Sequence, residues 1–119
     1  MLTRDAAHCD GAYWYDKDGV TFETQFTIQL YLNDSAATDP SSDLVGGATS
    51  FLSPDRATRV DVNPRAGSAL VFQHDRLLHE GAAVEAGVKY TMRGDILYEE
   101  EKKEGEKDST YSLKGWWKK

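Results

Sequence analysis

"VTFETQFTIQLYLND", residues 20 to 34, alternates along its length: Phe22, Thr24, Phe26, Ile28 and Leu30 share one parity, and Thr27, Gln29 and Tyr31 share the other. Successive side chains of a strand point to opposite faces, and β-branched and aromatic residues favour a pleated surface, so the stretch predicts a long strand with two dissimilar faces. Strand signals continue on the C-terminal side. After the loop-like "SAATDPSSD", "GGATSFL" resumes extended structure at a glycine pair suited to a tight turn or close backbone approach. "RVDV", the turn "NPRAG" and "SALVFQ" follow, and beyond "HDRLLHEG" and the turn-like "EAG", "VKYTMRGDILY" reads as a last long strand. Many short strands punctuated by turns, with no convincing core helix and no internal repeat, predict an all-β sandwich or barrel.

Length and charge narrow the function. A chain of 119 residues suits a single domain. Its 20 acidic against 14 basic side chains give a net charge of -6, the wrong sign for nucleic acid or an anionic membrane surface. One cysteine, Cys9, cannot form an internal disulfide, and the first residues lack the apolar core of a signal peptide, so a soluble cytoplasmic protein is expected. From Glu99 the texture changes to "EEEKKEGEKDST", which cannot build a core. The expected organisation is therefore one domain over residues 1–98 and a charged tail or surface segment over 99–119. Trp116 and Trp117 stand out in that segment, either packed on the barrel's flank or a neighbouring chain, or exposed as an interaction site.

On the N-terminal side stands "HCDGAYWYDKDG", residues 8 to 19. In an extended chain His8 and Asp10 project together while Cys9 turns away, a geometry that suits two ligands of one metal and equally an ordinary surface pair. A third ligand is needed, and the facial triad of two histidines and one carboxylate that holds non-haem Fe(II) takes its other histidine from elsewhere in the chain. The candidates are His74, beside Asp75 in a turn-like setting, and His79, which follows two leucines and precedes the Glu80-Gly81 turn. His79 is the better choice, because ten positions on stands Lys89, on the same strand parity as Thr91 and Arg93. Cations facing a barrel interior need an anionic partner, which a dicarboxylate would supply; on a surface strand they would simply reach solvent.

Taken together, "HCDG", "FTIQLYLND", "LVGGATSFL", "VDVNPRAGSALVFQHDRLLHEG" and "GVKYTMRGDILY" resemble the Fe(II)- and 2-oxoglutarate-dependent dioxygenases, in particular their prolyl 4-hydroxylase-like branch. The resemblance implies a double-stranded β-helix, a jelly-roll or cupin-like barrel with a metal at its mouth. It implies iron held by His8, Asp10 and His79, the far carboxylate of 2-oxoglutarate on Lys89 with help from Tyr31, and Arg93 assisting 2-oxoglutarate or substrate. The implied reaction couples O2 and the decarboxylation of 2-oxoglutarate to succinate and carbon dioxide with hydroxylation of an unactivated C-H bond, with ascorbate as reductant. Halogenating relatives lack the carboxylate that Asp10 supplies, so hydroxylation is the expected outcome.

The substrate is open: a prolyl peptide or protein, a free amino acid or a small metabolite all fit. Tyr13, Trp14 and Tyr15 form either a lid or substrate wall at the mouth, or a closure of the core's end. Relatives carry strands and helices before the His-x-Asp strand, and only "MLTRDAA" precedes it here, so the major sheet is expected to be incomplete. An uncovered edge would pair with another chain, as in a homodimer, or be covered by the C-terminal segment. The competing readings are a non-catalytic metal-binding jelly roll, or truncated remnant of such an enzyme, and a ligand-binding β-sandwich with structural histidines.

Overall fold

The structure, a computed structural model, describes residues 6–73, 75–101 and 112–115. Among them there is no helix, and ten strands follow in order: β1 (Trp14–Lys17), β2 (Val20–Tyr31), β3 (Val45–Gly46), β4 (Thr49–Leu52), β5 (Arg59–Val62), β6 (Ala69–Gln73), β7 (His79–Gly81), β8 (Val84–Ala86), β9 (Thr91–Glu101) and β10 (Ser112–Gly115). Every strand pair is antiparallel, and the architecture is that of a jelly-roll double-stranded β-helix.

The stretch that opened the sequence, β2, organises the larger sheet. One edge pairs with β9 along nearly its whole length, and the other is shared by β1 at residues 20–23 and β6 at residues 26–30, while β10 pairs with the far edge of β9. Facing it are a three-stranded sheet in the order β5-β4-β7 and the pair β3-β8. The turn between β1 and β2 places Asp18 and Gly19 at positive φ (53° and 78°), the mirror-image geometry whose twist suits a two-residue hairpin. β9 runs past the change of composition at Glu99 to Glu101, where β10 faces it from Ser112.

Which face of β2 turns inward depends on one residue. Pairing with β9 slips between Thr24 and Phe26, leaving Gln25 as an extra residue, and the buried positions become Thr24, Thr27 and Tyr31. A bulge shifts the parity of everything beyond it. The inward face of the large sheet consequently mixes polar with apolar side chains: Thr27 lies across from Phe72 and Asp95, Gln29 from Leu70 and Arg93, and Tyr31 from Thr91. The apolar parity of Phe26, Ile28 and Leu30 turns outward beside Val71, Ile96 and Met92.

Among the described residues the buried apolar side chains are correspondingly few, Tyr31, Leu44, Ala48 and Phe72, and they share the interior with Thr24, Thr27, Thr49 and His79. Phe72 packs edge-on against Phe51 (5.1 Å between ring centres) and His79 (4.8 Å). On the outward face of the small sheet, Arg59 joins three strands. Its guanidinium donates to Glu80 (2.6 Å), Asp61 (2.7 Å) and Ser50 (2.8 Å), and Glu80 is buried. That network lies directly behind His79, the neighbour of Glu80 in β7.

Candidate metal centre

His8 and His79 are brought together by the backbone. Each donates its N-H to the other's carbonyl at 2.9 Å, forming an isolated antiparallel bridge that adds the N-terminal arm to the edge of β7. Residues directly opposite in such a pair send their side chains to one side, and the two imidazole centres lie 4.6 Å apart. Each ring is oriented alike: Nδ1 of His8 meets the carbonyl of Ala6 at 2.7 Å, and Nδ1 of His79 meets that of Leu77 at 2.9 Å. A carbonyl only accepts, so the proton of each neutral ring belongs on Nδ1 and the lone pair on Nε2. Both Nε2 atoms face Asp10, whose Oδ1 lies 3.2 Å from His8 and whose Oδ2 lies 3.6 Å from His79.

Two imidazole nitrogens and a carboxylate oxygen within 4.8 Å of one another are a donor set that fits a divalent first-row metal. The burial is uneven. Asp10 and His79 side chains are 9% and 8% exposed, whereas His8 is 45% exposed, so the cluster opens to solvent on the side of His8. The alternation that put His8 and Asp10 on one side is observed, and Cys9 is exposed. His74 lies outside the described residues, as do Trp116 and Trp117.

A cleft of about 230 Å³ leads from this cluster into the barrel. Lys89, Thr91 and Arg93 line it from the β9 side, as their shared parity predicts, opposite Thr49, Phe72 and Gly81. The two cations occupy different places. Lys89 Nζ sits 5.7 Å from the centre of the Tyr31 ring, whereas Arg93 reaches the histidine cluster and donates to Asp10 Oδ2 at 2.8 Å. Tyr31 itself stands behind the cleft wall, with its hydroxyl 2.7 Å from Thr49 Oγ1, and burial pushes its phenol above the usual value against the opposing effect of the Thr49 hydrogen bond.

Lys89 lies just before β9 and is placed by two features from elsewhere in the chain. Asn33 uses both ends of its amide on the flanking residues: Nδ2 donates to the carbonyl of Val88 (2.8 Å), and Oδ1 accepts from the N-H of Tyr90 (2.9 Å). Gly47, at φ +77°, leaves room for the lysine stem, since a Cβ there would lie 3.2 Å from Lys89 Cδ. The glycine pair thus serves close approach, as expected. Its first member, Gly46, has no room for a Cβ, which would strike the carbonyl oxygen of Ala83.

Tyr13, Trp14 and Tyr15 do not line the cleft. They stand at the start of the β1 hairpin, 66%, 62% and 46% exposed, and Tyr15 stacks on Phe22. That exposure removes the core-closing alternative. Sequence reasoning missed Thr27, Thr49 and Asn33. Thr27 donates to Asp10 Oδ2 at 3.0 Å, and only the bulge at Gln25 together with the pairing of β2 reveals which threonines face inward.

A jelly roll with two histidines and one carboxylate converging at a cleft that also carries a lysine and an arginine fits a class of oxygen-using iron proteins. The chain matches the model of the 2OG-Fe(II) oxygenase superfamily over residues 3–94, and it belongs to that superfamily. Comparisons with curated proteins and with solved structures gave no match.

Proposed function

We propose that this chain is an Fe(II)- and 2-oxoglutarate-dependent hydroxylase of the prolyl 4-hydroxylase-like branch, with His8, Asp10 and His79 as iron ligands and ascorbate as reductant. The observation that carries the reading is the matched setting of the two histidines, each fixed through Nδ1 by the carbonyl two residues before it so that both Nε2 atoms face Asp10. Hydrogen bonds to the non-ligating nitrogen orient a histidine and raise its basicity toward a metal. Bound iron would supply the activation of oxygen; the chain supplies binding, orientation and exclusion of water.

Lys89 is the seat of the far carboxylate of 2-oxoglutarate. It lines the cleft beside Thr49, whose hydroxyl is fixed by Tyr31, while Arg93 is engaged with Asp10. Tyr31 acts through Thr49, and burial moves its phenol further still from ionisation. The cleft's volume is below the roughly 300–1,000 Å³ of sites for drug-sized ligands, which suits a cosubstrate of a few carbons and leaves the substrate outside, against the exposed side of His8. A peptide bearing proline, with Tyr13, Trp14 and Tyr15 as an outlying wall, is the substrate this reading favours.

The test is conversion of 2-oxoglutarate to succinate with Fe(II) and ascorbate, alongside anaerobic titration of the visible charge-transfer band of the ternary complex. The wild-type chain is expected to show both and His79→Ala neither. Turnover no different from that of His79→Ala would overturn the enzyme reading, and absence of the band from the folded protein would favour the non-catalytic jelly roll.

A further inference from the structure

The two oxygens of Asp10 are treated differently. Oδ2 accepts from Thr27 Oγ1 at 3.0 Å and from Arg93 Nη2 at 2.8 Å and stands 3.6 Å from His79 Nε2, while Oδ1 carries neither of those hydrogen bonds and stands nearer a histidine, 3.2 Å from His8 Nε2. Thr27 is 1% exposed, and Arg93 is placed by the β2-β9 ladder opposite Gln29. Both donors therefore come from the large sheet, whereas Asp10 itself follows the arm bridged to the small one.

We propose that Arg93 is a positioning residue that, together with Thr27, holds Oδ2 and so restricts Asp10 to metal ligation through Oδ1 alone. The inference rests on the reading of His8, Asp10 and His79 as a metal site. A charge-assisted hydrogen bond is about twice as strong as a neutral one, and a metal drawing on both oxygens would have to displace one such bond and the threonine's as well. Coordination number gives the restriction its use. If the bound ion is six-coordinate, three protein atoms would leave three positions open to cosubstrate and oxygen. A second Asp10 oxygen would remove one of the three. This division also separates the two cations of the cleft: Lys89 serves the cosubstrate, and Arg93 serves the protein's own carboxylate.

The test uses Mn(II) and Co(II) with the full chain and the variants Arg93→Ala, Arg93→Lys and Thr27→Val. Outer ligand-orienting partners typically contribute 10- to 100-fold to metal affinity, so Arg93→Ala and Thr27→Val should each weaken Co(II) binding about tenfold, with partial recovery in Arg93→Lys. Water-proton relaxation by bound Mn(II) counts open positions, and in Arg93→Ala the signal should fall by about one third as three positions become two. Affinity of the metal-loaded variants for 2-oxoglutarate, measured separately, should stay within about twofold of the wild type at equal metal occupancy. If Arg93→Ala leaves metal affinity and relaxation unchanged while 2-oxoglutarate binding weakens tenfold, Arg93 belongs to the cosubstrate and the inference is wrong. Tighter metal binding in Arg93→Ala would equally overturn it, since the arginine would then only compete with the ion. Failure of the wild-type chain to bind either metal would instead bring down the metal-site reading, and this inference with it.

Discussion

Replacing Gly47 by alanine tests the placement of Lys89 with little direct change to the chemistry of the cleft. Two costs are expected. The first is backbone: Gly47 has φ +77°, and an L-residue with a Cβ in the left-handed region costs about 1–2 kcal/mol. The second is local, because the added Cβ would lie 3.2 Å from Lys89 Cδ and 3.3 Å from Val84 Cγ2, so those side chains must give by a few tenths of an ångström. Gly67 separates the two. Its φ is +79°, but a Cβ there meets nothing within 4 Å, so Gly67→Ala carries the backbone cost alone. Chemical denaturation should therefore show a loss of about 1–2 kcal/mol in Gly67→Ala and somewhat more in Gly47→Ala. Calorimetric titration with 2-oxoglutarate should show unchanged affinity in Gly67→Ala and a three- to tenfold loss in Gly47→Ala, about 0.7–1.4 kcal/mol, roughly half of what a hydrogen bond to a charged group contributes. Equal affinities for the two variants, with both folded, would refute Lys89 as the seat of the far carboxylate.

Asn33→Ala removes both hydrogen bonds flanking Lys89 and should weaken 2-oxoglutarate several-fold while leaving Co(II) affinity unchanged, by the same titrations. Arg59→Met takes the guanidinium from buried Glu80 and should lower the urea-unfolding free energy by about 2 kcal/mol, and adding Glu80→Gln should recover part of that loss because the charge left behind is gone. The Asp61 carboxyl is held below its ordinary value first by the Ser50 hydroxyl and then by Arg59. A depressed folded value contributes stability above the unfolded value near pH 4 and loses it as pH falls through the folded one. Asp61→Asn should therefore be destabilised at pH 7, with the difference from wild type shrinking below about pH 4, in urea midpoints measured at both.

The parts of the site legible in the sequence were those that depend on chain periodicity alone. His8 and Asp10 lie two apart and face together; Lys89, Thr91 and Arg93 alternate and line one cleft. What strand pairing decides was hidden. An extra residue at Gln25 changes which side of β2 is the interior, and nothing in "FETQFTI" marks the slip, so Thr27 could not be connected with Asp10. Asn33 and Val88 are separated by 55 positions, and their bond exists only because β9 returns beside β2. The composition change at Glu99 marks the expected charged tail or surface segment, and β9 runs across it to Glu101, paired there with β10. Exposed Tyr13, Trp14 and Tyr15 show the opposite limit, because aromatic character alone does not determine burial at the edge of a sheet.

The bridge between His8 and His79 also bears on the order in which this protein acquires its activity. Two backbone hydrogen bonds, each contributing about 1 kcal/mol net, close the loop from His8 to His79, while fixing the arm before β1 costs about 1–2 kcal/mol for each backbone residue ordered. An ion gripping both side chains would tie the same loop, so docking of the arm and loading of the metal are linked equilibria: each strengthens the other by the same factor. Amide protons of His8 and His79 should therefore exchange slowly only in the loaded protein, making the beginning of the chain a reporter of iron supply.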